Sequence, residues 1–175
     1  GYEMGSEQFI ISDEIAQRPV KKLTPVLKED DKFYTVTVSE CEYKIGKHSG
    51  LIESLVDNGK QMITSPITPT IWRAPTDNDR KIRKDWEYNY FDHASTNCHS
   101  TSLSVDDEGV TVNAEIVVSS AASPPAVTLK IAYRFGDGSC VRISADCKLG
   151  IGVLGENFAP LPPLPRFGFK IRMPE

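Results

Sequence analysis

"AVTLKIAYRFGDGSCVRISADCKL", residues 126–149, alternates apolar and polar side chains in two runs, with a glycine-bearing turn between them. A period of two belongs to strands, because successive side chains leave opposite faces of a pleated chain. "GDGS" at 136–139 reads as a hairpin turn: glycine accepts positive φ, and aspartate bonds its own backbone. Outward from this hairpin the pattern repeats in "GVTVNAEIVVSS" (109–120) and "KFYTVTVSECEY" (32–43). Asp57-Asn58-Gly59 and Asp106-Asp107-Glu108-Gly109 supply further turns. Short strands at spacings of roughly 10 to 15 residues, joined this way, predict an all-β fold, an antiparallel β-sandwich or barrel. Only "NDRKIRKDWEYNYF" (78–91) has room for a short turn of helix.

The chain has 175 residues, 39% of them hydrophobic and 25% charged, enough for a normal core in one domain, or in one domain plus a fragment of a neighbour. A net charge of −4 argues against nucleic acid as a partner, since that needs a basic surface to displace counterions. No apolar run approaches the roughly 18 residues of a membrane-spanning helix. The start at Gly1 and the plain end at Glu175 are those expected of a piece of a longer protein, so the compartment is not written in its ends. Residues 17–31, "QRPVKKLTPVLKEDD", are polar, hold two prolines and lack a period, and read as a linker between a short piece (1–16) and a main domain (32–175). In "ENFAPLPPLPRFGFKIRMP" (156–174), Pro160, Pro162, Pro163 and Pro165 force an extended run that delivers the strand "RFGFKIR" to the sheet.

Chemistry removes several candidate sites. Cys41, Cys98, Cys140 and Cys147 have no C-x-x-C spacing, and Cys140 and Cys147 are expected as small buried residues of a strand. His48 falls in a polar turn. His93 and His99 are six apart, which suits neither helical nor strand spacing for metal ligands. Cys98 and His99 are adjacent, so on a strand they face opposite ways. That leaves "RAPTDND". Asp77, Asn78 and Asp79 are contiguous, whereas a calcium loop alternates its carboxylates and follows them with glycine. A glycosidase dyad needs carboxyls about 5 to 9 Å apart across a sugar, which neighbours on one loop cannot provide. Spacing favours a self-bonded turn: Pro75 fixes φ, Asp77 and Asn78 bond local backbone, and Arg73 pairs with a carboxylate across the turn.

Trp72-Arg73-Ala74-Pro75-Thr76-Asp77-Asn78-Asp79 resembles the signature near the start of the C-terminal, or small-chain, domain of glycoside hydrolase family 2 beta-galactosidases. "HSGLIESLVDNGKQMI" (48–63) is similar to the hairpin that leads into it. "GYEMGSEQFII" (1–11) resembles the last strand of the preceding immunoglobulin-like domain, and "LPPLPRFGFKIRMP" (161–174) the Leu-Pro-Arg-x-Gly strand further on. The resemblance spans the chain with its motifs in order.

It implies part of a large antiparallel β-supersandwich, similar to galactose mutarotase. It also implies a retaining beta-galactosidase parent acting on terminal galactosides such as lactose, with its catalytic glutamates in a separate (β/α)8 barrel. Such a barrel takes roughly 250 residues of alternating strand and helix, a pattern this sequence lacks. No catalytic residue and no metal ligand therefore carries over, and no cofactor is expected on this chain; the parent's ion would be magnesium, with sodium as a second candidate. The family's sugar-lining tryptophan would fall beyond Glu175. The expected partners are the barrel and the remaining sandwich of the same polypeptide, the galactoside, and a second copy in a homo-oligomer.

What carries over is a structural motif (Trp72, Arg73, Pro75, Asp77, Asn78, Asp79) followed by a loop at the border of the substrate pocket. That loop is Arg80, Lys81, Ile82, Arg83 and Lys84. This chain departs from the family in carrying Lys81 where many members have a glycine, and in reaching Trp86 after a shorter loop. A rival reading is a stand-alone carbohydrate-binding or domain-packing module. It rests on Trp86, Tyr88 and Tyr90, which alternate in "WEYNY" and on a strand would share one aromatic face.

Overall fold

The structure is a computed structural model, and it describes residues 22–120, 125–136, 138, 140–150 and 161–175. Residues 1–16, read as the end of a preceding domain, lie outside the described residues, as do Asp137, Ser139 and Pro160. The expectation of an all-β, antiparallel fold is met. Strands β1 (Val26–Glu29), β2 (Phe33–Val38), β3 (Cys41–Gly46), β4 (Ile52–Asp57) and β5 (Lys60–Gln61) form one antiparallel sheet in sequence order. Strands β7 (Ser95–Asp106), β8 (Gly109–Ser119), β9 (Val127–Phe135) and β10 (Arg142–Leu149) form a second. Between them in sequence lies β6 (Thr68–Thr70), paired antiparallel with β11 (Gly168–Lys170) from the far end of the chain.

Period-two patterning puts one face of each sheet into a shared core. Tyr34, Val36, Val38, Tyr43 and Ile45 meet Val110, Val112, Ala114, Ile116, Leu129, Ile131, Tyr133 and Phe135 there. Tyr43 and Phe135 touch with ring centroids 5.1 Å apart. A polar tie crosses the same layer: the buried Tyr133 hydroxyl donates to the Gly50 carbonyl at 2.9 Å. Gly50 has φ +66, and a Cβ there would collide with Ala114 and Cys98, so the turn that presents this carbonyl needs glycine.

The turns follow their chemistry. Asn58 and Gly59 take φ +48 and +76 between β4 and β5, the two left-handed residues of a tight hairpin. The run 32–43 is itself a hairpin. Val38 pairs with Cys41 across Ser39 and Glu40, and Ser39 adopts φ +54. Gly136 and Gly138 both have positive φ between β9 and β10, as the opening stretch requires.

Three expectations are corrected. Residues 26–29, inside the segment read as a linker, form β1 and pair with β2 from Val26↔Thr37 to Glu29↔Tyr34; as a short, mostly exposed edge strand it needs no apolar face. Cys140 and Cys147 are exposed rather than buried: Cys140 lies in the bend before β10, and Cys147 on β10, the outer strand of its sheet and exposed at every position. The third is the aromatic face. Residues Arg83–Tyr88 form a helix, α1, so Trp86 and Tyr88 point about 200° apart. Trp86 is 3% exposed, whereas Tyr88 is 83% and Tyr90 51% exposed, and the three share no platform.

Candidate functional site: a clasp and a basic cleft

The signature lies between β6 and α1, and its centre is Arg73. Its guanidinium grips Asp79 with two bonds, Nη1 to Oδ2 at 2.6 Å and Nη2 to Oδ1 at 2.9 Å. Its Nε donates to the Pro165 carbonyl at 2.9 Å. The same guanidinium lies 5.4 Å from the centre of the Trp86 ring, and Trp86 meets Trp72 edge-on, centroids 6.4 Å apart. The Trp86 indole N–H donates to the Pro163 carbonyl at 2.8 Å. Arg73 and Trp86 thus hold two carbonyls of the proline strap that arrives some 80 to 90 residues later. A proline segment makes no ladder of its own, so its carbonyls are open to side-chain donors. The Arg166 N–H to Ile71 carbonyl bond (3.2 Å) fixes the strap from the other side.

The expected pairing of Arg73 with a carboxylate across the turn is present, and the carboxylate is Asp79. The turn bonds expected of Asp77 and Asn78 are made instead by Asp79, whose Oδ2 accepts from the Thr76 N–H at 2.7 Å and from the Thr76 hydroxyl at 2.9 Å. Residues 77–79 form a 3-10 turn, which brings the third residue's side chain back over Thr76. The Arg73 guanidinium, and after it the Thr76 N–H, hold the Asp79 carboxyl well below the usual carboxylate range. Arg73 is shifted upward by the same pair. Pro75 is half-buried beside this corner, and Asp77 and Asn78 are exposed.

After the corner, Arg80 to Lys84 run into α1. Ile82 is half-buried against the core, whereas Arg80, Lys81, Arg83 and Lys84 are exposed. Thr76, Asp77, Arg80, Arg83, Lys84 and Glu87 line a cleft of about 360 Å³. Arg83 and Glu87, one helical turn apart, are paired at 2.6 Å. Across the described residues no three His, Cys, Asp or Glu side chains gather as a metal centre would require. His93 ends a 3-10 turn beside Asp92, and His99 is the extra residue of a bulge in β7 between Cys98 and Ser100.

Sequence reasoning located Arg73, Asp79 and the basic run, and missed Pro163, Pro165 and Thr76 as their partners. A buried indole N–H must find an acceptor, which was the available signal for the first of these.

Comparison with known proteins gives the family. The family described as "Beta galactosidase small chain" matches residues 37–175. A beta-galactosidase from Actinobacillus pleuropneumoniae is 28% identical over 174 residues, covering 97% of this chain and 16% of the relative. One from Staphylococcus xylosus is 26% identical over 178 residues, covering 99% and 17%. A third, from Priestia megaterium, is 33% identical over 81 residues, 45% of this chain and 8% of the relative. The chain therefore spans about a sixth of the length of the first two relatives. With its signature, its hairpins and this match over most of its length, the chain belongs to the beta-galactosidase small-chain family.

Proposed function

We propose that this chain is a non-catalytic part of a retaining beta-galactosidase that hydrolyses terminal galactosides such as lactose. In this reading the clasp braces a basic loop against the border of an active site carried by a separate barrel of the same polypeptide. Two barrel carboxylates do the chemistry, one attacking the anomeric carbon and the other protonating the leaving oxygen. The parent's magnesium, or sodium, would sit with those residues, since this chain offers no cluster of ligands among its described residues. The remaining sandwich and a second copy in a homo-oligomer are the other partners.

The observation that supports this reading best is the use of Arg73. One side chain ties the signature corner, α1 and the proline strap together, and the exposed Arg80, Lys81, Arg83 and Lys84 follow on from that fixed base. A loop that only closed the fold would need no such bracing.

Two measurements test it. The purified 175-residue chain should give no turnover of a chromogenic galactoside, and turnover would sink the claim that it is non-catalytic. In the parent enzyme, Arg73→Ala should lower kcat/KM by roughly tenfold to a hundredfold through a misplaced lip. Full activity in a folded Arg73→Ala parent would remove the bracing role.

A further inference from the structure

Arg80, Arg83, Lys84 and Glu87 recur at helical spacing and line one cleft with Asp77 and Thr76. The charges there are not balanced. Arg83 is occupied by Glu87 at 2.6 Å, and Asp79, the carboxylate that could have neutralised the cleft, is turned into the clasp by Arg73. Arg80 and Lys84 form no ion pair with a described residue, and of the two acids on the lining Glu87 is engaged by Arg83, which leaves Asp77 to oppose them. In a chain of net charge −4 this is a locally positive hollow.

We propose that this cleft is a binding site for an anionic group, a carboxylate, sulfate or phosphate, carried by the small-molecule glycoside that the parent processes. The substrate source rests on the border-loop reading above; the anion site itself does not. Arg80 would supply a planar fork that matches two oxygens of such a group, and Lys84 a compact charge beside it. The volume of about 360 Å³ lies at the small end of small-molecule sites, room for the anionic group together with part of the glycoside that carries it. Asp77, also on the lining, repels any anion there and keeps the affinity modest.

The first arm uses the 175-residue chain and inorganic pyrophosphate as the probe, followed by amide NMR shifts at matched ionic strength. Shifts confined to residues 76–87 and saturating at roughly millimolar concentration are expected, with loss in the double variant Arg80→Glu, Lys84→Glu. Both side chains are exposed, so amide dispersion outside the cleft should be unchanged, which separates lost binding from lost fold. No shift, or equal shifts at basic residues throughout the chain, would overturn the site whatever the loop does in the parent.

The second arm compares, in the parent enzyme, kcat/KM for a nitrophenyl galactoside and for its carboxylate-substituted counterpart. The double variant should lower the anionic-to-neutral ratio by about tenfold at low salt, less so at 1 M salt. Pyrophosphate binding with an unmoved ratio would overturn the substrate source and assign the cleft to an acidic stretch of polypeptide. Kinetics of both substrates untouched by either charge reversal would overturn the border-loop reading instead.

Discussion

Arg73 ties Asp79, the Pro165 carbonyl and the Trp86 ring together, and its pair with Asp79 leaves a pH signature. Because the folded carboxyl titrates below its ordinary value, Asp79 stabilises the fold fully above about pH 5 and loses that contribution as pH falls below about 4. Asp79→Asn should therefore be less stable than the wild type at neutral pH, with the gap closing as acid is added. Urea titrations at pH 7 and pH 3 check this; an unchanged gap would mean the pair contributes nothing. Trp86 separates packing from hydrogen bonding. Trp86→Phe keeps an aromatic ring but orphans the Pro163 carbonyl and should cost about 1 to 2 kcal/mol, whereas Trp86→Ala also opens a cavity and should cost about 3 to 5 kcal/mol. Both tryptophans of the chain sit in the clasp, so their fluorescence reports on it directly.

At the scale of elements, the two sheets are joined by packing and by polar ties, among them the buried Tyr133 hydroxyl on the Gly50 carbonyl and the Thr101 hydroxyl on the Lys47 carbonyl. Tyr133→Phe removes the donor to the Gly50 carbonyl and should cost about 1 to 3 kcal/mol while leaving the strand content unchanged. Equilibrium unfolding with far-UV circular dichroism tests both halves of that statement. The same scale shows where sequence reading succeeded. β8 and β9 announce themselves because their inward positions are Val, Ile, Leu, Tyr and Phe in strict alternation. β7 is 12 residues long and drew no such notice, since its sequence STNCHSTSLSVD is mostly hydroxyl side chains at the edge of the sheet. The WEYNY segment alternates its aromatics as a strand would, yet it is helical at first. Trp86 buries its ring and bonds the strap in that geometry, and the tertiary contact overrides the local pattern.

For the whole molecule, the informative feature is β10. Its cross-strand partners on β9 are core residues: Ile143 faces Tyr133, Cys147 faces Leu129, and Leu149 faces Val127. Those side chains of β10 lie on the core side of the sheet, yet Ile143 is 44% and Leu149 61% exposed. An outer strand with an apolar face is a template for further pairing. The isolated chain should self-associate as its concentration rises, and Ile143→Lys with Leu149→Lys should return it to a monomer. Light scattering across a hundredfold dilution decides, and a wild type monomeric throughout would count against it.

By itself the sequence determined the strongly alternating strands β2, β8, β9 and β10, the hairpin turns and the pairing of Arg73 with a carboxylate across its turn, because alternation, glycine φ and opposite charges six residues apart act over short distances. Only the tertiary structure decided which carbonyls the clasp would hold, that Trp86 would turn inward while Tyr88 and Tyr90 stay out, and that β10 would be the outer strand of its sheet among the described residues. Each of those depends on what lies across the core from a residue, and no spacing along the chain encodes a partner some 80 to 90 positions away.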